Sequence, residues 1–266
     1  MSKDVAIVIL TKDQPDLLKQ CLLSIQKHTM NTSYRVYIGD TGSDVVNMGI
    51  MTNMLRTYFN SDNLKLLQLD QYCFSSNNND IISQHVQEPW VMMCNDDVEF
   101  KSNCVDKMLQ KIQSMTHPGT VGCQLVFPNG MIQHAGQVAY LDPTGMLVCT
   151  HRGYKTNESY SSGRVVGNTA ALMMISREVF NNMGGFDTMF TECWEDIHLN
   201  MRLILEGHEN HYMHDVIAVH HESASRTQDA RATYKLQYDY TYKLKPWFDS
   251  LENNKQQWIL KYAYTK

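Results

Sequence analysis

The stretch Trp90–Phe100, WVMMCNDDVEF, places two adjacent carboxylates, Asp96 and Asp97, directly behind an apolar run. Two neighbouring ionised carboxylates repel unless positive charge lies between or beside them. A divalent cation is the natural partner. Mg²⁺ and Mn²⁺ prefer oxygen ligands, and Mg²⁺ typically takes only one or two protein carboxylates together with phosphate oxygens. The structural alternative is that Asp96, Asp97 and Glu99 cap a helix starting near Ser102. A second acidic pair, Glu195 and Asp196, opens an amphipathic helix in which Ile197, Met201, Ile204 and Leu205 recur at helical spacing up to Gly207. Such a pair suits catalysis, but acidic residues at a helix N-terminus are stabilising in any protein. His220 and His221 follow an apolar strand, where an imidazole is either a metal ligand or ordinary surface polarity.

These side chains need a scaffold. Trp90–Met93 reads as a short strand buried on both faces, because the run is apolar without polar alternation. Upstream, Val5–Leu10 is an apolar strand followed by the polar loop Thr11 to Asp16, in which Pro15 opens a helix carrying Leu17, Leu18, Cys21, Leu22 and Ile25 at helical spacing. A second strand, Tyr34–Gly39, leads into Asp40-Thr41-Gly42-Ser43 and a helix to about Tyr58. A third, Leu64–Leu69, is followed by the polar run Tyr72 to Asn79 and another short helix. Three β-loop-α units before the acidic strand predict an α/β fold with a Rossmann-like, mostly parallel sheet and helices on both faces. Ligands of such sheets collect at the carboxyl ends of strands, which brings Thr11, Asp40, Asn78 and Asp96 to one rim suited to a base and a ribose. Asp40 also fits a turn, and Asn77–Asn79 also fit a loop with positive φ. Further on, the pattern predicts a helix over Cys104–Met115, a strand over Val121–Phe127, an apolar strand over Val165–Ile175, a helix over Arg177–Met183 and a strand over His214–Val219. The stretch 141–162 has no sustained period and reads as a long mobile excursion, either a lid or an insertion.

Composition narrows the function classes. With 266 residues and 43% hydrophobic content the chain can bury one sizeable core. A formal net charge of −5 leaves no basic stripe for nucleic acid, so an anionic ligand has to be held by local groups. No apolar run approaches the roughly 18 residues of a membrane span, and MSKDVAIVIL lacks the form of a secretory signal. A soluble, cytoplasmic protein is expected. The seven cysteines are scattered, odd in number and without a CxxC pair, which points to reduced thiols rather than zinc.

In order and approximate spacing, VAIVILTKDQPDLLKQCLLSI, IGDTGS, FSSNNN, CNDDVEF, NGMIQHAG, GGFD, WEDIHL and VHHESASR resemble the large inverting GT-A glycosyltransferase family, family 2. The similarity is greatest to its bacterial branch associated with rhamnosyl transfer and surface-polysaccharide synthesis, and it covers about residues 5–226. It implies a GT-A domain over 1–226, with a nucleotide-binding half at about 1–100 and an acceptor half at about 101–226. An aromatic-rich helical extension would follow over 227–266. By the resemblance, Asp97 and His220 hold Mn²⁺ or Mg²⁺, and Asp96 meets the donor's ribose or sugar. Thr11, Asp13, Asp40 and Asn78 line the nucleoside pocket, and Arg226 meets the diphosphate. Asp196 is the catalytic base, with Trp194, Glu195 and His198 on the acceptor side. The implied reaction moves a sugar from a nucleotide-diphosphate sugar, UDP- or dTDP-linked by preference, to a hydroxyl of a glycan or other acceptor with inversion.

The chain departs from the pattern at two positions. His198 stands two residues after the base, where the family often has a second acid, and Cys73 stands where asparagine is expected. Two other classes remain open: an inactive nucleotide-sugar or carbohydrate-binding module, and a nucleotidyltransferase, although TKDQPD lacks the glycine-rich basic loop the latter usually carries. The tail aromatics Tyr234, Tyr238, Tyr240, Tyr242, Trp247 and Trp258 read as packing against the domain, with sugar stacking or a homo-oligomer contact as the alternatives.

Overall fold

A computed structural model describes residues 3–190, 193–221 and 230–264. The first part of the chain runs β1 (Val5–Thr11), α1 (Pro15–His28), β2 (Tyr34–Asp40), α2 (Val45–Tyr58), β3 (Leu64–Gln68), α3 (Phe74–Gln84) and β4 (Trp90–Cys94). Next come β5 (Val98–Phe100), α4 (Cys104–Gln113), β6 (Pro118–Val126), β7 (Ile132–His134), β8 (Gln137–Leu141), β9 (Leu147–His151) and β10 (Gly163–Arg164). The last part comprises β11 (Leu172–Ser176), α5 (Arg177–Asn182), α6 (Glu195–Leu205), β12 (Glu209–His220), α7 (Ala230–Asp239), α8 (Lys245–Ser250) and α9 (Asn253–Lys261). A π-helical turn, Tyr240–Leu244, joins α7 to α8.

The main sheet has the order β10-β12-β6-β11-β4-β1-β2-β3, with β5 against β12 and β7 against β6. Strands β3, β2, β1 and β4 are parallel, as the repeating β-loop-α units predict. Beyond β4 the pattern changes: β11 is antiparallel to both β4 and β6, and β12 is parallel to β6. Side-chain alternation along the central strands separates two cores. Val5, Ile7, Ile9, Met92 and Cys94 pack with α1, α2 and α4 on one face. Ala6, Val8, Val91 and Met93 pack with α3, α5 and α6 on the other. An unbroken apolar run was therefore the correct sign of a strand covered on both sides.

Two local expectations are corrected. Residues 141–162 are not a structureless excursion: β8 and β9 form a hairpin in register from Gln137↔His151 to Leu141↔Leu147. Its turn is closed by Asp142 Oδ1, which accepts from the backbone N–H of Thr144 at 2.8 Å and of Met146 at 3.0 Å. The residues after β9 are tied back by backbone bonds between Ile132 and Thr156 (2.8 Å) and between Lys155 and Ile132 (2.7 Å). The asparagine run is also not a loop. Asn77, Asn78 and Asn79 lie inside α3, where intrinsic propensity disfavours them. Tertiary bonds override propensity there: Asn79 donates to Phe186 O (2.8 Å) and accepts from Phe186 N (2.9 Å).

The C-terminal segment is part of the fold's core. Tyr240, Leu244, Phe248, Ile259 and Tyr262 share one apolar cluster with Leu147 of the hairpin and with Ile197, Met201 and Ile204 of α6. Tyr262 O–H donates to His208 O at 3.1 Å. Because Phe248 is fully enclosed in that cluster, Phe248→Ala should destabilise the whole chain by about 3–5 kcal/mol. Urea denaturation should show one cooperative transition moved to lower denaturant. A separate early transition would instead mark the tail as an independent unit.

Candidate active site

The acidic turn is placed by its neighbours on both sides. Asn95 N–H donates to Ala171 O (2.9 Å), and Val98 N–H donates back to Asn95 O (3.3 Å). β5 then pairs antiparallel with β12, with Val98 opposite His220. This register brings Asp97 and His220 together, with His220 Nε2 lying 3.0 Å from Asp97 Oδ1. The next residue faces the other way, as strand alternation requires, so His221 Nε2 approaches Glu99 at 3.6 Å. Glu99 also meets Lys101 and accepts from Gln20 Nε2 at 2.9 Å. Strand geometry thus sets His220 beside Asp97 and His221 beside Glu99.

Gln133 of β7, within the NGMIQHAG stretch, orients that histidine. Its Oε1 lies 2.7 Å from His220 Nδ1 in a buried contact. Taking Oε1 as the acceptor, which is an assignment from the network, the proton sits on Nδ1 and Nε2 points at Asp97. Asn95 Nδ2 lies 3.3 Å from the same Nε2. The pair suits a hard cation. Adjacent ligands of an octahedral ion bonded at about 2.1 Å lie about 3 Å apart, and Asp97 Oδ1 is buried without an aligned hydrogen-bond donor. Among the described residues no cluster of three or more His, Cys, Asp or Glu side chains forms a fuller cage. Asp97 and His220 form a two-residue group at the acidic turn.

The two neighbouring carboxylates are separated electrostatically. Burial pushes the Asp96 carboxyl up to about 6, against the Thr11 hydrogen bond and with the charge of Asp97 adding to the rise. Burial acts the same way on Asp97, but the adjacent His220 outweighs it and holds that carboxyl below its ordinary value. The two therefore titrate apart, Asp97 losing its proton at lower pH than Asp96. Thr11 Oγ1–H donates to Asp96 Oδ2 at 2.7 Å.

Parallel pairing sets Thr11 opposite Asp40. The Asp40 carboxylate is occupied by its own loop, accepting from Ser43 N (3.2 Å), from the Ser43 hydroxyl and from Gly42 N (3.4 Å). Asp13, in the left-handed region at φ 55, accepts from Asp44 N at 2.8 Å and stitches the loops after β1 and β2 together. Asn78 is buried on α3, its Nδ2 bonded to Phe74 O at 2.9 Å. Arg226 lies outside the described residues.

A cleft of ≈ 370 Å³ reaches from Asn95, Gln133 and His220 at one end to Trp194, Glu195 and Asp196 at the other, with His151 and Tyr154 among its walls. Asp196 accepts from Ala170 N (3.2 Å) and from Ile197 N (2.6 Å), which fixes its carboxylate at the first turn of α6. Trp194 precedes that turn in the left-handed region at φ 76, a conformation that costs an aromatic residue about 1–3 kcal/mol and persists only where neighbours enforce it. Its indole N–H donates to Leu236 O of α7 (2.9 Å), and its ring lies 5.5 Å from that of Tyr240. The tail that sequence alone left as packing therefore also sets one wall of the cleft.

The acceptor-side expectation for His198 is corrected. Two residues along a helix point to nearly opposite faces, and His198 is 1% exposed. It lies against Phe190 at 5.0 Å and Trp247 at 4.5 Å between ring centroids. Burial drives its pKa down to about 4, so it is a neutral part of the apolar cluster rather than a cleft residue.

No protein-family model matches the chain. It is 28% identical over 246 residues to the O-antigen biosynthesis protein RfbC of Myxococcus xanthus, spanning 88% of this chain and 19% of that protein. It is 30% identical over 253 residues to the uncharacterized protein y4gI of Sinorhizobium fredii, spanning 89% of this chain and 27% of that protein. The chain thus spans less than a third of the length of either relative. A shorter similarity, 24% over 166 residues, covers 58% of this chain and 54% of an N-acetylglucosaminyl-diphospho-decaprenol L-rhamnosyltransferase of Mycobacterium tuberculosis. Among solved structures, the mannosyltransferase PcManGT of Pyrobaculum calidifontis in complex with GDP-Man and Mn²⁺ superposes with TM-score 0.67 at 15% identity, over 99% of this chain and 72% of that one. GalNAc-T7 with UDP, GalNAc and Mn²⁺ superposes with TM-score 0.65 at 12% identity, over 82% of this chain and 44% of that one. The fold is that of the GT-A glycosyltransferases. Among the described residues no disulfide is formed, and no helix is long and apolar enough to cross a membrane.

The Asp96 shift has a definite sign. Its folded value lies above the ordinary one, so the carboxyl favours the folded state at low pH, and that contribution is lost as pH rises from about 4 to about 6. In metal-free protein Asp96→Asn should therefore be more stable than wild type at pH 7 by about 1–3 kcal/mol, with the difference gone near pH 4. Urea denaturation at the two pH values checks this. An equal difference at both would remove the titration from the explanation.

Proposed function

We propose that this chain is a metal-dependent, inverting glycosyltransferase of the family 2 type, moving a sugar from a nucleotide-diphosphate donor to a hydroxyl of a glycan or other acceptor. One observation carries the reading: a single cleft holds His220 at one end and Asp196 at the other. The relatives named for O-antigen biosynthesis and rhamnosyl transfer support it. So do the Mn²⁺ and nucleotide or nucleotide-sugar named for the structural neighbours.

On this reading Asp97 and His220 hold Mn²⁺ or Mg²⁺, which when bound offsets the charge developing on the departing diphosphate. Asp96 and Thr11 meet the ribose or sugar of the donor, and the loops ordered by Asp13 and Asp40 shape the nucleoside pocket, with uracil or thymine preferred. Arg226 meets the diphosphate. Asp196 accepts the proton of the acceptor hydroxyl while that oxygen bonds to the anomeric carbon and the bond to the diphosphate breaks on the opposite face. One displacement inverts the configuration. The Asp196 carboxylate sits in the first turn of α6, fixed by the backbone N–H groups of Ala170 and Ile197. Holding both substrates in line within one cleft supplies further acceleration.

Asp196→Asn keeps shape and removes the base. Transfer from UDP- and dTDP-sugars should fall at least about a hundredfold, with donor affinity close to wild type. Transfer at the wild-type rate would move the base elsewhere, and donor binding without transfer to any acceptor in a broad glycan screen would favour the inactive binding module. In calorimetry with UDP or dTDP, Asp97→Ala and His220→Ala should each abolish the Mn²⁺-dependent gain in affinity, while His221→Ala should retain it. The opposite result for the two histidines would reject the ligand assignment.

A further inference from the structure

A second concavity, of ≈ 430 Å³, lies where α4, β10, the start of β12 and α9 meet, with Lys111, Arg164, Glu209, Trp258 and Tyr262 in its lining. It is distinct from the cleft: its Ile204 lies roughly 12 Å along α6 from the cleft's Asp196. Glu209 and His220 are the first and last residues of β12, a strand of 12 residues, and strand rise places its ends roughly 30–35 Å apart. None of the residues assigned above to donor, metal or base belongs to it.

Its chemistry is that of a saccharide site. Trp258 is 45% exposed, yet its indole N–H turns inward to Ile204 O at 3.4 Å. The ring stands edge-on to Tyr262 at 5.7 Å and 79°. The indole thus offers solvent an apolar ring, a surface suited to the C–H face of a sugar. Beside it, Arg164 Nη2 pairs with Glu209 Oε2 at 2.8 Å, both side chains about a third exposed. The guanidinium also lies 5.2 Å from the Tyr262 ring centroid. A fork of donors next to a carboxylate matches vicinal hydroxyls, each of which donates and accepts.

Arg164 is already paired with Glu209, and Lys111, His117 and His208 belong to the polar lining as well. With the guanidinium offset by that carboxylate, a neutral polyhydroxyl chain suits the pair.

We propose that this groove is a second carbohydrate subsite, binding a neutral oligosaccharide at a distance from the cleft. The inference rests on the glycosyltransferase reading only for the choice of probes, and its test reads binding without donor or turnover. Saturation-transfer NMR and calorimetry would use neutral oligosaccharides of rhamnose, mannose and N-acetylglucosamine, four to six units long. Affinity should weaken about tenfold or more in Trp258→Ala and in Glu209→Gln, and stay at the wild-type value in Asp196→Asn and His220→Ala. Glu209→Gln preserves volume and decides the matter if Trp258→Ala fails to fold. Absence of binding by every probe up to about 10 mM, or binding that Glu209→Gln leaves intact, would overturn the proposal. Loss of binding only in the cleft variants would overturn it as well, and would assign the saccharide to the cleft without touching the catalytic reading.

Discussion

The approach of Asp97 Oδ1 to His220 Nε2, 3.0 Å across the acidic turn, is the constraint on which the rest of the site depends. A largely buried carboxylate is costly unless a positive centre accompanies it. Here the partner is drawn from the far end of the sequence, since β5 brings Asp97 and β12 brings His220 to one place where a cation would sit between them. The first half of the chain builds the strand behind the acidic turn, and the second half supplies the imidazole, with Gln133 fixing its orientation from β7. The same contact separates the neighbouring carboxylates electrostatically, Asp97 ionising at lower pH than Asp96.

The base candidate is held by a different kind of network. Beneath α6, Thr120 Oγ1 donates to Asn200 Oδ1 at 2.7 Å, and Asn200 Nδ2 bonds to Asn168 O at 2.9 Å. Asn210 Nδ2 bonds to Val166 O (2.9 Å) and to Asn200 O (3.0 Å). These fully buried amides tie α6 to β6 and to the start of β12. A satisfied polar network in a low-dielectric interior is rigid, and Asn200 Nδ2 also reaches Asp196 O itself at 2.7 Å. The apolar side of α6 is covered by the tail helices, and Trp194 is bent into its left-handed conformation between that tail and the first turn of α6. Strain at the cleft wall is thus supported by packing remote from the chemistry.

What the sequence determined by itself follows from short-range physics. Apolar runs of strand length, helical periodicity and loop residues after each strand defined the parallel units from β1 to β4, because those signals are written within a few residues of one another. The acidic pair behind β4 and the acid-led helix at Asp196 were legible for the same reason, and the resemblance of the motifs connected them to one activity. The tertiary structure decided what depends on partners far apart in the chain. Strand pairing, not composition, set His220 rather than His221 beside Asp97 and inserted β11 antiparallel between β4 and β6. Helix geometry and the aromatic tail turned His198 from a cleft residue into core. Bonds to Phe186 made a helix of asparagines that favour loops, and cross-strand pairing made a hairpin of a stretch without clear period. In each case the deciding energy lies in contacts between residues distant in sequence, which no local pattern carries.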